Sequence, residues 1–286
     1  MTLTVFNGFG LGKINTQNVT ASIDYTQQAI TMAGTGTATT EEYNGTSWSA
    51  GGALSSASEL SSGGGNSSDA IMIGGYNAAY LTKVEEYNGT SWSAGGSLAT
   101  GNYTGNGGGN SSDAFFCGGR TSGSYPTDTF EYNGTAWSAG GAISANRQGA
   151  GSGGNSLDAI IVGGQNSAST KYTSSEEYNG TSWSAGGSVS VARSFCGGGG
   201  STTNAIIMGG NVSQTLCEIY NGTTWSTTGS TTKNVYNSGS GGNSTTAMVM
   251  GFNSFRTSTE RFDGTTWSAG GNLATTRSMN VGGANA

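Results

Sequence analysis

Any chemistry in this chain must be done without histidine, since its 286 residues include ten Lys and Arg, sixteen Asp and Glu and three Cys but no His. That removes Ser-His-Asp and Cys-His nucleophilic catalysis, histidine-containing zinc sites and the usual general base near neutral pH. Cys117, Cys196 and Cys217 are odd in number and stand at unrelated positions, which predicts buried free thiols rather than a disulfide framework. Asp69, Asp113 and Asp158 recur in Asn-Ser-x-Asp turns. One carboxylate per copy falls short of the oxygen ligands a calcium ion takes, and the pattern predicts turn capping instead. No catalytic residue, metal or cofactor is therefore expected. Arginine and tyrosine remain. Arg120, Arg147, Arg193, Arg256 and Arg277, with Lys171, Lys233, Tyr103, Tyr125, Tyr172 and Tyr236, fall in short Ser- and Asn-rich stretches. Guanidinium forks and aromatic faces on adaptable loops suit recognition of carbohydrate or of an anionic surface group.

The elements that must carry these loops are set by an internal repeat. The six tryptophans, Trp48, Trp92, Trp137, Trp183, Trp225 and Trp267, are 44, 45, 46, 42 and 42 residues apart. The string EEYNGTSWSAGG occurs unchanged at 41–52, 85–96 and 176–187, and an apolar block ending in Gly, such as Ala70–Gly75, precedes it. Upstream again lies a glycine-rich stretch such as Gly63–Asp69.

Each unit reads as four short strands, a to d. Strand a is glycine-rich, as an inner strand near a crowded axis would be. Strand b is a continuous apolar run fit for burial on both faces. Strand c carries Glu-Glu-Tyr, and strand d begins at the Trp, which supplies area for packing one unit on the next. The c–d link contains Asn-Gly, which predicts a type I′ hairpin turn with both residues at positive φ. Nothing in the chain has a helical period. Sheets of this kind must stack, and a ring protects their edges. The prediction is an all-β, six-bladed β-propeller over 24–286, with 1–23 as an accessory segment. The last repeat ends in a strand-a stretch and the first begins at strand b, near Gln28–Gly34, so the C-terminal strand should complete blade one.

Comparing the copies within the chain separates two faces. The a–b and c–d connections barely change, whereas the b–c and d–a connections vary in length and content, and in an antiparallel blade these two variable sets emerge on the same side. Eight of the ten basic residues fall in or beside the variable loops, and the acids fall in strand c and the opposite loops. The expectation is a varied, basic and aromatic face opposite a uniform, acidic one. The net charge of −6 disfavours nucleic acid. No run is apolar enough for membrane insertion, and Met1–Val5 lacks the basic and apolar regions of a signal peptide. Asn-Gly-Thr at Asn44, Asn88, Asn133 and Asn179, and Asn221 likewise, matches glycosylation acceptors, but the hairpins already account for them.

A Gly-Gly pair, then a Tyr and a Trp, as in Gly74-Gly75, Tyr87 and Trp92, resembles the kelch family of β-propellers across about nine-tenths of the chain. The resemblance implies fold and is nearly silent on function. Without histidine the analogy does not extend to kelch-type copper oxidases. Asp263-Gly-Thr-Thr-Trp267 is similar to the Asp-box turn of sialidases, whose arginine triad and Tyr–Glu nucleophile would have to come from a face whose only acids are Glu59 and Asp128. The Gly/Ser/Thr/Asn-rich, lysine-poor repeats also resemble propellers of bacteriophage tails and virions. That resemblance implies a virion or tail-associated binding protein whose partner is a host surface glycan or another virion protein. A bacterial glycan- or protein-binding propeller is the alternative, and a sialidase-like glycoside hydrolase a more distant one.

Overall fold

A computed structural model describes residues 27–34, 36–252 and 256–284; the expected accessory segment, 1–23, lies outside the described residues. Blade one contains β1 (Ala29–Met32), β2 (Thr40–Tyr43) and β3 (Trp48–Ala50). Blade two contains β4 (Ser62–Asn66), β5 (Asp69–Ile73), β6 (Val84–Tyr87) and β7 (Trp92–Ala94). Blade three contains β8 (Asn106–Gly109), β9 (Ala114–Cys117), β10 (Thr129–Tyr132) and β11 (Trp137–Gly140). Blade four contains β12 (Gly151–Gly154), β13 (Ala159–Val162), β14 (Ser174–Tyr178) and β15 (Trp183–Ser188). Blade five contains β16 (Gly197–Ser201), β17 (Asn204–Met208), β18 (Cys217–Tyr220) and β19 (Trp225–Thr227). Blade six contains β20 (Gly239–Gly242), β21 (Ala247–Met250), β22 (Thr259–Phe262) and β23 (Trp267–Ala269). The last strand, β24 (Val281–Ala284), pairs antiparallel with β1 and closes the ring as the inner strand of blade one.

The strand-b runs are wholly buried between blades, as Ala70, Ile71, Met72 and Ile73 are. The inner strands tolerate little but glycine, because a Cβ on Gly64 would come within 2.8 Å of the Gly109 carbonyl oxygen in the next blade.

Blades are joined by side chains at repeating positions. Four of the five strand-c tyrosines donate their hydroxyl to a Glu of the preceding blade: Tyr87 to Glu42, Tyr132 to Glu86, Tyr178 to Glu131 and Tyr220 to Glu177. At the fifth junction both partners change together, to Phe262 and Ile219. At the sixth, Arg261 replaces the Glu, lies over the Tyr43 ring and donates to the Gly45 carbonyl. Burial, followed by the glutamate acceptor, pushes the Tyr87 and Tyr178 phenols up to about 12. Tryptophan adds a second link, as in Trp183 Nε1 to Thr129 Oγ1 at 2.8 Å.

Two turns differ from expectation. The c–d connection is a four-residue loop in which only the Gly has positive φ, 96° at Gly45. The Asn44 side-chain oxygen accepts from Thr46 N and Ser47 N at 2.9 and 3.0 Å, so the asparagine is chosen as an Asx cap and not for left-handed backbone. In the a–b turns the cap is Asn66, Asn110 or Asn155, not the aspartate. Asp69, Asp113 and Asp158 instead accept from Ser111 N, Ser156 N and Thr202 N of the following blade.

A further link was invisible in residue types. Twelve residues after each Trp stand Leu60, Thr104, Gly149, Phe195, Asn237 and Met279, all left-handed with φ between 50° and 60°. The backbone N–H of each donates to the carbonyl of its counterpart one blade back, and Leu60 donates to Met279, completing a head-to-tail ring of six hydrogen bonds of 2.5 to 3.2 Å. Left-handed backbone costs about 1 kcal/mol at a residue other than glycine, which the ring's hydrogen bonds offset.

Candidate functional site

The variable loops are placed on one face, as short backbone bridges between b–c and d–a loops show: Glu59 with Tyr76, Tyr103 with Arg120, Gln148 with Gln165 and Arg256 with Arg277. What these loops expose differs from expectation.

Arg147, Arg193 and Arg277 are among the largest fully buried side chains, at 1%, 0% and 1% exposure, and so they do not belong to a ligand-binding face. Each stands ten residues after its Trp and turns into the blade, pairing with the first strand-c glutamate: Glu176 at 3.0 Å, Glu218 at 2.7 Å and Glu41 at 3.2 Å. Their Nη1 groups meet backbone carbonyls, as Arg147 Nη1 meets Gly163 O and Ser174 O, while each Nε is buried without an acceptor among the described residues. The glutamates also accept backbone N–H groups of the d–a loop, as Glu176 does from Ser144. Burial pulls the Arg147 and Arg277 pKa values below the ordinary arginine value, against the opposing pull of their glutamates. A buried charge is tolerated only when paired and hydrogen-bonded, and these are.

The same two positions show the pairing as a rule with informed exceptions. Blade three has Asn102 and Phe130, losing cation and anion together. Blade two keeps Glu85 and brings Lys83 to it at 2.7 Å. In blade six Val235 replaces the arginine, and Glu260 accepts from Thr232 N at 2.9 Å and from the Thr232 hydroxyl. The first strand-c glutamates thus belong to the interior together with three of the arginines, so that part of the expected contrast of a basic face with an acidic one is consumed inside the blades.

Of the other expected residues, Tyr172 is partly buried beneath its loop with Arg147 4.6 Å from its ring centroid. Lys171 is partly buried and in a backbone bridge with Gln165. Tyr236 packs edge-on against Phe195 at 5.7 Å, with Lys233 exposed nearby in sequence. Arg256 is exposed, its backbone paired with Arg277.

Three of them are brought together. Tyr103, Arg120 and Tyr125 are partly exposed and adjoin Tyr76 and Tyr80. Tyr76, Tyr80 and Tyr103 touch pairwise with centroids 5.1 to 5.8 Å apart. The Arg120 guanidinium lies 5.8 Å from the Tyr103 centroid and 5.4 Å from that of Tyr125, and Nη1 donates to Tyr103 Oη at 3.0 Å. Partial burial raises the Tyr103 phenol pKa, with Arg120 opposing, and the surrounding phenols raise that of Arg120. The patch draws on the b–c loops of blades two and three and the d–a loop between them. The position of Arg120 is Tyr76 in blade two, Gln165 in blade four and Asn211 in blade five. The composition of these loops pointed to Arg and Tyr, but only the fold shows which of them share a surface.

The second candidate is the axial channel. A cavity of about 380 Å³ is lined by strand-a glycines with Asn66, Asn110, Asn155 and Asn243, and among the described residues Asp113 is the one charged group in its wall. It offers backbone hydrogen bonding and no acid–base pair. Among the described residues no group of three or more His, Cys, Asp and Glu could hold a metal. All three cysteines are free, and burial pushes the Cys196 and Cys217 thiols up to about 12 and 11 and Cys117 higher. Among the described residues no helix is long and apolar enough to cross a membrane.

No family model matches the chain, and no curated protein matches it. Solved structures do. That of YjhT superposes with a TM-score of 0.64 at 11% identity, over 78% of this chain and 86% of that one. At such identity the likeness shows the propeller fold alone.

Proposed function

We propose that this propeller is a non-catalytic carbohydrate-binding protein that engages its ligand through the variable loop face, at the Tyr76–Tyr80–Tyr103–Arg120–Tyr125 patch. The observation that carries the reading is the convergence of four tyrosines and an arginine from three loops onto one partly exposed surface. Tyrosine faces pack against the C–H faces of sugar rings by dispersion, while hydroxyl and guanidinium groups bond sugar oxygens. The commitment of the strand-c glutamates to the fold supports a role without acid–base catalysis. Three of the five arginines a sialidase-like triad could draw on are likewise engaged inside the blades.

Glycan-array binding tests this directly. Wild-type protein should bind a defined set of glycans, and Tyr76→Ala with Tyr103→Ala should abolish binding at an unchanged melting temperature. Retained binding would place the site elsewhere.

The resemblance of the repeats to phage virion and tail propellers supports a host surface glycan as the target and a virion as the location. Mass spectrometry of purified particles tests that part alone. Absence from particles would leave a bacterial glycan-binding propeller.

A further inference from the structure

We infer that Arg120 is the counter-ion site of the tyrosine patch and selects glycans carrying a carboxylate, such as uronic acids, over neutral ones. The inference rests on the carbohydrate reading above and adds the ligand's charge.

Among the described residues Arg120 forms no ion pair with a carboxylate, whereas Lys83, Arg147, Arg193 and Arg277 each have one. Asp128, the acid of its own loop, forms no ion pair with it. Its protein partners are two aromatic rings and one phenol oxygen. Among the described residues one of its five guanidinium N–H donors is used, and the donors on Nε and Nη2 have no acceptor. That edge is the planar fork that matches a carboxylate.

The tyrosines fix the charge in place. Cation–π contact with Tyr103 and Tyr125 and the hydrogen bond to Tyr103 Oη hold a long side chain in one pose, so less conformational freedom is lost when an anion binds. The backbone helps: Tyr103 N donates to Arg120 O and Arg120 N to Tyr103 O, each at 3.0 Å, and Arg120 N also lies 3.0 Å from Asn102 Oδ1. A sugar ring stacked on Tyr76 or Tyr80 would present a C6 carboxylate toward this edge. A neutral hydroxymethyl group would leave the guanidinium without its counter-charge.

Titration calorimetry of the full chain with a galacturonate trimer, the neutral galactose trimer and a sulfated galactose trimer would decide it. The galacturonate trimer should bind at least about tenfold tighter than the neutral one, as a charge-assisted pair requires. Arg120→Gln should erase that difference, weakening the galacturonate trimer about tenfold more than the neutral one. Arg120→Lys, which keeps the charge but loses the fork, should recover only part of the preference. Equal binding of acidic and neutral trimers by the wild type, or equal weakening of both by Arg120→Gln, would overturn the inference while leaving the carbohydrate reading standing. Preference for the sulfated trimer would overturn the assignment to carboxylate. If none of the trimers binds and the glycan array is also blank, the carbohydrate reading itself fails. An unchanged melting temperature in both variants separates loss of binding from loss of fold.

Discussion

Arg193 and Arg120 lie in loops of the same face and meet opposite environments. Arg193 is fully buried against Glu218, whereas Arg120 is partly exposed among tyrosines with no carboxylate partner among the described residues. What separates them is position in the repeat. The tenth residue after each Trp is buried in the blade, where Arg193 meets the first strand-c glutamate, while Arg120 follows the paired glycines after strand b and stays partly exposed. The lesson is that a basic residue in a variable loop is not thereby a binding residue. Where the repeat supplies a buried acid, a loop supplies its partner, a cation in four blades and Thr232 in blade six.

The largest test of this contrast is Arg193→Ala. It should cost about 3–5 kcal/mol by leaving Glu218 buried and unpaired, read from urea unfolding, while Arg120→Ala should stay within about 0.5 kcal/mol. The chain already contains a cure: Arg193→Asn with Glu218→Phe copies the Asn102 and Phe130 pair of blade three and should regain more than half of the loss. A double variant as unstable as the single would show that the pairing rule is coincidence. Substituting the buried arginines therefore measures stability and says little about ligands.

The interblade tyrosines should follow the same logic with a smaller effect. Tyr178→Phe leaves Glu131 without its hydroxyl donor and should cost about 1–3 kcal/mol. Adding Glu131→Ile, which reproduces the Phe262 and Ile219 junction, should recover most of it. A single variant with wild-type stability would remove the hydroxyl from the account of how blades adhere.

At the ring of left-handed residues the sign should depend on the residue present. Gly149→Val should destabilise by about 1–3 kcal/mol, since its backbone has φ near +60° and a Cβ there would lie 2.7 Å from the Phe195 ring. Leu60→Gly should be neutral or stabilising by less than about 1 kcal/mol. Loss of stability in Leu60→Gly would mean that side-chain packing, not backbone geometry, sets that position.

The smallest effect concerns the one copy of the c–d turn capped by an acid. Backbone and side-chain hydrogen bonds from Thr265 and Thr266 lower the Asp263 pKa below its ordinary 3.8. A depressed carboxylate pKa contributes stability that is present above the unfolded value and lost as pH falls through the folded one. Asp263→Asn should thus leave the melting temperature at pH 7 nearly unchanged and flatten its decline below about pH 4. An identical acid limb in both proteins would remove Asp263 from that transition.

The architecture was legible because it is written six times. Tryptophan spacing, strand-b runs and the orphan strand-a stretch at the C-terminus gave blade number, strand order and closure, since each follows from local pattern and chain order. Depth was not legible: Arg147 and Arg120 look alike in sequence, and only the register of Glu176 in β14 shows that one is spoken for. The Asn-Gly turn misled because two loops with different backbones use the same dipeptide. Tyr76, Tyr80, Tyr103 and Tyr125 were visible as types, but their meeting depends on how loops of adjacent blades lean together. The ring at Leu60, Thr104, Gly149, Phe195, Asn237 and Met279 had no signal in residue type, because the constraint falls on φ.

That ring has an evolutionary consequence. Its hydrogen bonds use only main-chain atoms, so the six residues that tie the blades together around the axis have side chains without duties in doing so. Leucine, threonine, phenylalanine, asparagine and methionine already coexist there around a small opening of about 100 Å³. The entrance to the axis can therefore change its chemistry one residue at a time while the closure beneath it is inherited intact, giving a duplicated protein a place to diverge without first loosening its fold.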